Sequence, residues 1–408
     1  MNNKKTFLTA SIAFAALIII RSLYYVGAQK SALNIIMVSI VASFIFAMYV
    51  IKFLSKDKSV AILPEGKNVA VGSLAVLSAI ALVIDGIYRF LTISNLEKVY
   101  NDLIESSSQT AMFTILVIRS LLGFGFAIVL ILFAVYYFTG NKKMSENNML
   151  IVLPVLWGCA RLLEFAFIDG YWTTSALKGV EIIGVIFLVL SLFSIAKMHS
   201  AMYDFEAFIT FTTQAWLCVP IVLMSSTFGL VDALSSFEKY NVFSYISEFC
   251  LALFVFFILK YTKSEELSED AKNSSSVAKL VFDILDIAVS SLTCVCILLA
   301  IFFRTSSVQG ESMLDTLHDQ DKLFIYSFMY TPKNNDIVVI NPLDSLVKVR
   351  GEAKGKEKII KRVIAVEGQT LHIDFDTQKV YVDGKKLEEP YRYTPMQKPT
   401  KHTIESNL

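Results

Sequence analysis

The chain has 408 residues, of which 55% are hydrophobic and only 18% charged, and its mean hydropathy is +0.57. So apolar a composition excludes an ordinary soluble domain and reads as a polytopic membrane protein. A formal charge of +1, with lysines spread over loops, leaves no basic face for nucleic acid, and the five cysteines (Cys159, Cys218, Cys250, Cys294, Cys296) all lie in apolar segments. The region after Arg304 therefore has no cysteine for a disulfide or a zinc site, and no metal or cofactor is expected.

In chain order, nine spanning helices are predicted, at about 7–26, 32–54, 69–94, 111–138, 149–170, 177–197, 208–233, 242–261 and 280–303. Each is close to the ~20 apolar residues that cross ~30 Å of hydrocarbon. The first, behind Lys4 and Lys5, resembles a signal peptide, but the spans that follow favour an uncleaved helix. Lysine and arginine are retained on the cytoplasmic side. With the N-terminus inside, the inside segments hold thirteen lysines, among them Lys52, Lys67, Lys142, Lys197, Lys260 and Lys263; the alternate loops hold four, Lys30, Lys98, Lys178 and Lys239. Nine spans then place residues 305–408 outside, so the expected location is a multi-pass cell-membrane protein with an extracytoplasmic C-terminal domain.

Several charges fall within or near the apolar segments: Asp85, Arg119, Arg161, Glu164, Glu181, Glu248, Asp283 and Asp286. Such charges are costly and face a partner or a cavity. Both signs are present, so pairing between helices is the plainer expectation, with ligand binding or transport the other. Pro154 and Pro220 are 66 residues apart and Glu181 and Glu248 are 67 apart, a weak sign of a repeated helical hairpin. Residues 263–279 are polar and serine-rich. The expected organisation is an eight-span membrane domain at 1–262, a cytoplasmic linker at 263–279, a membrane anchor at 280–304 and an extracytoplasmic β domain at 305–408.

Beyond Arg304 the pattern changes to short β-branched and aromatic runs: KLFIYSF (322–328), DIVVIN (336–341), KIIKRVIAV (358–366), TLHIDF (370–375) and KVYV (379–382). Asp383-Gly384 after the last run signals a hairpin. A small, mainly antiparallel β module follows from this pattern. Ser312, in VQGESMLDTL (308–317), precedes its first clear strand, and Lys361 lies in EKIIKRVIAVEG (357–368).

A serine hydroxyl is a weak nucleophile at neutral pH and needs a base. Lysine serves only when uncharged, and burial can lower its ordinary pKa of ~10.4 by ~3–5 units. Strict alternation puts Lys361 on a face with Ile359 and Val363, and Ile360, Arg362 and Ile364 on the other. Taken alone, Gly-x-Ser is usually a turn and a strand lysine usually a solvated face. Their joint occurrence carries more: FRTSSVQGESM just after a membrane helix, then Thr316-Leu317, then Lys361-Arg362-Val363-Ile364.

This order resembles bacterial type I signal peptidase, over roughly residues 280–393. YTPKNNDIVVI (330–340) is similar to that family's Pro-x-x-Gly-Asp-Ile-Val-Val strand, and KVYVDGKKLEEPY (379–391) to its Val-Tyr-Val-Asn-Gly hairpin ending in Glu-Pro-Tyr. The resemblance implies a serine endopeptidase that removes signal peptides from exported preproteins at the bilayer, cutting after small residues at the first and third positions before the bond. It implies Ser312 as nucleophile and Lys361 as base. It also implies the Ser312 N–H as an oxyanion donor, Gly310 where some members carry a second, serine-based donor, and Met313 beside the substrate groove.

Departures accompany it. Asp315 stands where proline is usual; Gln320, Asn335, Ala365 and Gln369 stand where Gly, Gly, Gly and Asp are usual; Glu367 stands where proline is usual. The sequence ends at Leu408 before any Gly-Asp-Asn-Arg segment, so the domain is expected to be incomplete or degenerate. The competing expectation is a polytopic sensor, transporter or binding protein whose peptidase-like domain does not cut.

Overall fold

The computed structural model describes residues 3–25, 30–55, 59–64, 66–100, 106–140, 149–167, 176–200, 207–235, 242–265, 276–301, 303–308, 310–319, 321–326, 330–340 and 359–392. The chain divides into two units, 1–301 and 302–408. Among the described residues the first unit has nine α-helices: α1 (Asn3–Tyr25), α2 (Lys30–Leu54), α3 (Val69–Tyr100), α4 (Ser106–Thr139), α5 (Leu153–Phe167), α6 (Ala176–His199), α7 (Ala207–Ser235), α8 (Val242–Tyr261) and α9 (Ser276–Ile301). They correspond one for one to the nine apolar segments of the sequence.

Six of them, α2, α3, α4, α6, α7 and α8, are long and apolar enough to cross a membrane. The apolar stretch described in α1 is the shorter Ala10–Leu23. α5 has 15 residues, which rise only about 22 Å, and α9 carries Asp283 and Asp286. Large apolar side chains point outward along the bundle, among them Phe46, Phe53, Ile80, Leu91 and Ile128, as a surface facing hydrocarbon requires.

Small residues set the helix spacing. A Cβ added at Gly158 on α5 would come within 2.6 Å of Val189 on α6, and one at Gly229 on α7 within 2.5 Å of Tyr245 on α8. α9 packs on α5 and α6, where Lys197 pairs with Asp286 at 3.3 Å and Phe193 meets Phe282.

One end of the bundle is tied by backbone bonds between distant segments. Strand β1 (Val60–Ile62) pairs antiparallel with β2 (Lys263–Glu265). Asn68 N–H donates to Tyr137 O, 2.9 Å, and Phe208 N–H to Ser59 O, 3.2 Å. The segments after α2, α4, α6 and α8 therefore share one end, and these are segments that the lysine distribution assigns to one side. Neither β1 nor β2 is visible in the sequence: one is three residues long and the other, Lys-Ser-Glu, is wholly polar.

The second unit holds short antiparallel pairs. β3 (Phe303–Ser307) pairs with β4 (Lys322–Tyr326), β5 (Ile337–Ile340) with β6 (Ile359–Arg362), and β7 (Leu371–Asp374) with β8 (Lys379–Val382), which pairs in turn with β9 (Lys385–Lys386). Asp383 and Gly384 have φ of 50° and 75°, the left-handed pair of a two-residue hairpin turn. β3 escaped the sequence reading because Arg304, Thr305, Ser306 and Ser307 break the apolar alternation. Lys348, Lys358 and the segment 393–408 lie outside the described residues.

Candidate active site and buried charge network

Ser312 is carried on the loop of the β3–β4 hairpin. Val308 N–H donates to Asp321 O, 2.9 Å, closing the base of that loop just beyond the Ser307–Lys322 pair. Inside it, Gly310 has φ of 89°, a conformation natural to glycine, and its N–H donates to Asp319 Oδ1, 2.7 Å. Met313 O accepts from the N–H groups of Thr316 and Leu317, both 2.9 Å, forming a helical turn directly after the serine. Ser312 is exposed. Met313, at 8% exposure, is buried.

Lys361 comes from β6, opposite Val338 of β5. The ladder continues beyond the strand ends, with Asn335 N–H on Val363 O, 2.7 Å, and Val363 N–H on Asp336 O, 2.8 Å. Lys361 is half-buried, and its Nζ donates to Ser312 Oγ across 2.6 Å. The two residues that the sequence singled out are thus brought into hydrogen-bond contact.

Its neighbour Arg362 braces the same loop, a role invisible in the sequence. Nη2 donates to Thr316 Oγ1, 3.0 Å, and Nη1 to both Asn335 O and Asn335 Oδ1, 3.0 Å each. The guanidinium lies 4.3 Å from the centre of the Tyr391 ring, the tyrosine of the Glu-Glu-Pro-Tyr motif. Burial, then the Glu389 charge, push the Tyr391 hydroxyl above its ordinary pKa, with Arg362 and Arg392 opposing. Asp336, before β5, accepts from Tyr330 Oη at 2.6 Å and Lys333 N–H at 2.9 Å, and these bonds hold its carboxyl below the ordinary value.

Two departures from the resembled pattern have a physical reading. Asn335 adopts φ of 73°, and asparagine is among the few non-glycine residues that enter this region readily. Asn335→Gly should therefore leave thermal stability almost unchanged, whereas Asn335→Val should cost on the order of 1–3 kcal/mol, measurable as a fall in unfolding midpoint. Gln369 Oε1 accepts from Val366 N–H, 3.0 Å, and Asn334 Nδ2, 2.8 Å, supplying acceptor bonds that an aspartate could also make.

The membrane unit contains a second polar constellation. Asp85 and Arg89 of α3, Arg119 of α4, Arg161 and Glu164 of α5, Glu181 of α6, and Ser244 and Glu248 of α8 are all buried. Arg89 donates to Asp85 Oδ1, 3.2 Å, and Glu164 Oε1, 2.6 Å. Arg119 donates to Asp85 Oδ2, 2.9 Å, and to the other Glu164 oxygen. Ser244 Oγ donates to Asp85 Oδ1, 2.7 Å. Arg161 reaches Glu248 at 2.7 Å, Glu164 at 3.2 Å and Glu181 at 3.8 Å. The sequence reading named six of these residues; it missed Arg89, one turn from Asp85, and Ser244, which carries no charge to flag it.

Residues 281–407 match the family model described as signal peptidase, peptidase S26. Signal peptidase I of Bacillus licheniformis is 31% identical over 131 residues, covering 31% of this chain and 61% of that protein. Signal peptidase I T of Bacillus subtilis is 37% identical over 92 residues, 22% of this chain and 42% of the relative. Signal peptidase I of Streptococcus pneumoniae is 31% identical over 91 residues, 22% and 38%. The chain thus spans about two-fifths to three-fifths of the length of these curated relatives. No solved structure matches. The C-terminal region is thus similar to bacterial type I signal peptidases, and the helical unit precedes it.

Proposed function

We propose that this protein is a membrane-bound serine endopeptidase that removes signal peptides from exported preproteins with a Ser312–Lys361 dyad. The observation that carries the reading is the 2.6 Å contact between Lys361 Nζ and Ser312 Oγ, made by residues 49 positions apart. Similarity of residues 281–407 to signal peptidases supports the substrate class.

In this reading the neutral Lys361 amine takes the Ser312 proton as Oγ attacks the scissile carbonyl. The oxyanion is met by the Ser312 N–H, with the exposed Gly310 flanking the bound peptide and the buried Met313 supporting the loop beneath it. Collapse of the tetrahedral adduct expels the amine of the mature protein, which receives the proton from Lys361. Water then attacks the acyl-serine ester, giving up a proton to Lys361, which returns it to Ser312 Oγ as the ester C–O bond breaks; the signal peptide leaves as a carboxylic acid and the neutral amine is restored. No metal or cofactor takes part in these steps.

The reading also assigns nine spans, a cytoplasmic N-terminus and an extracytoplasmic position for residues 305–408, supported by the lysine distribution and by the shared end of the loops after α2, α4, α6 and α8. A reporter active only outside the membrane should work when fused after Gln397 and stay silent at Ser268. The reverse result would remove the protease from its substrates. For the activity itself, the product N-terminus of a signal-peptide-bearing preprotein should begin directly after a small residue, with another small residue two positions earlier. Unchanged processing by Ser312→Ala would refute the assignment.

A further inference from the structure

Adjacent residues of a strand point to opposite faces, yet Lys361 and Arg362 both reach the turn that carries the serine. Lys361 Nζ meets Ser312 Oγ at the start of the turn, 2.6 Å, and Arg362 Nη2 donates to Thr316 Oγ1 at its end, 3.0 Å. Between these points the backbone bonds are local, from Leu314 N–H to Glu311 O and from Thr316 and Leu317 N–H to Met313 O. Ser312, Asp315 and Thr316 are exposed. Local bonds on an exposed turn open readily, so the place of the Ser312 hydroxyl depends on contacts from outside the turn.

The guanidinium that grips Thr316 is itself held on two sides. Its Nη1 donates to both Asn335 O and Asn335 Oδ1, 3.0 Å each, and its centre lies 4.3 Å from that of the Tyr391 ring. Asn335 has φ of 73°, and glycine, usual here in the resembled pattern, would adopt that backbone freely. Glycine would leave Nη1 only the carbonyl. Asparagine therefore adds a second acceptor to the same nitrogen.

We propose that Asn335 and Thr316, joined through Arg362, are positioning residues for the cleavage proposed above: they hold the serine turn against β6 so that the Ser312 hydroxyl stays within reach of Lys361. The inference rests on the Ser312–Lys361 reading. The three residues act through the turn rather than on the scissile bond. With Met313 buried as the fixed point, loss of the Thr316 contact lets the turn rock about it, and a nucleophile displaced by about 1 Å loses on the order of 100-fold in rate.

The test is cleavage of a signal-peptide-bearing preprotein by the full chain in lipid nanodiscs, with kcat, KM and thermal midpoint measured for each variant. Thr316→Val removes the hydroxyl and keeps the shape; its kcat is expected to fall on the order of 10- to 100-fold, with KM and midpoint near those of wild type. Thr316→Ser returns the hydroxyl and should restore kcat. Asn335→Gly should lower kcat by less, about threefold, again without loss of midpoint. The variant carrying both Thr316→Val and Asn335→Gly should be no slower than Thr316→Val alone, because both changes act through one guanidinium. Wild-type kcat in Thr316→Val, losses that multiply in the double variant, or a loss that follows the midpoint and is not rescued by Thr316→Ser would overturn the proposal; each leaves the dyad standing, since Ser312→Ala tests that separately. Should the wild-type chain itself not cut, amide hydrogen exchange decides. Faster exchange at Thr316 and Leu317 in Asn335→Gly than in wild type supports the hold on the turn, and equal exchange overturns it.

Discussion

Ser312→Ala, Lys361→Ala and the double substitution are each expected to lower preprotein cleavage by the full gene product to the same residual level, a loss on the order of 10⁴-fold or more. Equality is the informative part. If the hydroxyl and the amine form one proton-transferring unit, as proposed from their 2.6 Å contact, removing either disables the same step and removing both adds nothing. Two independent contributions would instead multiply. The exposed Lys379 on β8 provides a control, since Lys379→Ala touches neither partner and should cleave at the wild-type rate. Fold integrity is checked in the same preparations by thermal unfolding.

Glu164→Leu is expected to be the most damaging single change in the membrane unit. Glu164 receives Arg89 on one oxygen and Arg119 and Arg161 on the other, and its removal leaves buried guanidinium groups facing apolar side chains. Breaking a buried pair by deleting one partner costs about 3–5 kcal/mol, and here three arginines share the partner. Lost expression, or a thermal midpoint lower by many degrees in detergent, should result. Glu164→Gln keeps the size but not the charge and should fall between. A Glu164→Leu protein as stable as wild type would mean that the network is solvated rather than buried.

The sequence made the helices legible because hydropathy is a property of each segment by itself. It made the sharing of one end by the segments after α2, α4, α6 and α8 legible for a similar reason, since retention of lysine is a rule of membrane insertion. β8 and its Asp383-Gly384 turn were equally local, the turn residues adopting the positive φ values their identities foretold. What escaped was decided between distant segments. β3 exists because β4 pairs with it, although its own residues carry no strand pattern. β1 and β2 exist because the bundle brings two loops together.

The candidate site follows the same division. Ser312 and Lys361 could be named because nucleophile and base have residue types and a spacing that the resemblance fixes. Arg362 looked like a side chain turned to the opposite face. Its contacts with Thr316, Asn335 and Tyr391 depend on how the loop and the segment after β9 fold around β6. Arg89 and Ser244 complete the buried network for reasons of geometry alone, whereas Glu181 and Glu248, flagged by their spacing, converge on Arg161. The repeat that this spacing hinted at is uneven in the structure: Pro154 is the second residue of a 15-residue helix, and Pro220 lies inside a 29-residue one.

The dyad reading rests on Lys361 as an acceptor of protons, and the most direct measurement of that role is preprotein cleavage by Lys361→Arg. Arginine keeps the positive charge and can still donate to Ser312 Oγ, but its guanidinium stays protonated and cannot act as a base. A folded Lys361→Arg protein is predicted to leave the preprotein uncut, at the residual level of Ser312→Ala. Cleavage near the wild-type rate would contradict the account.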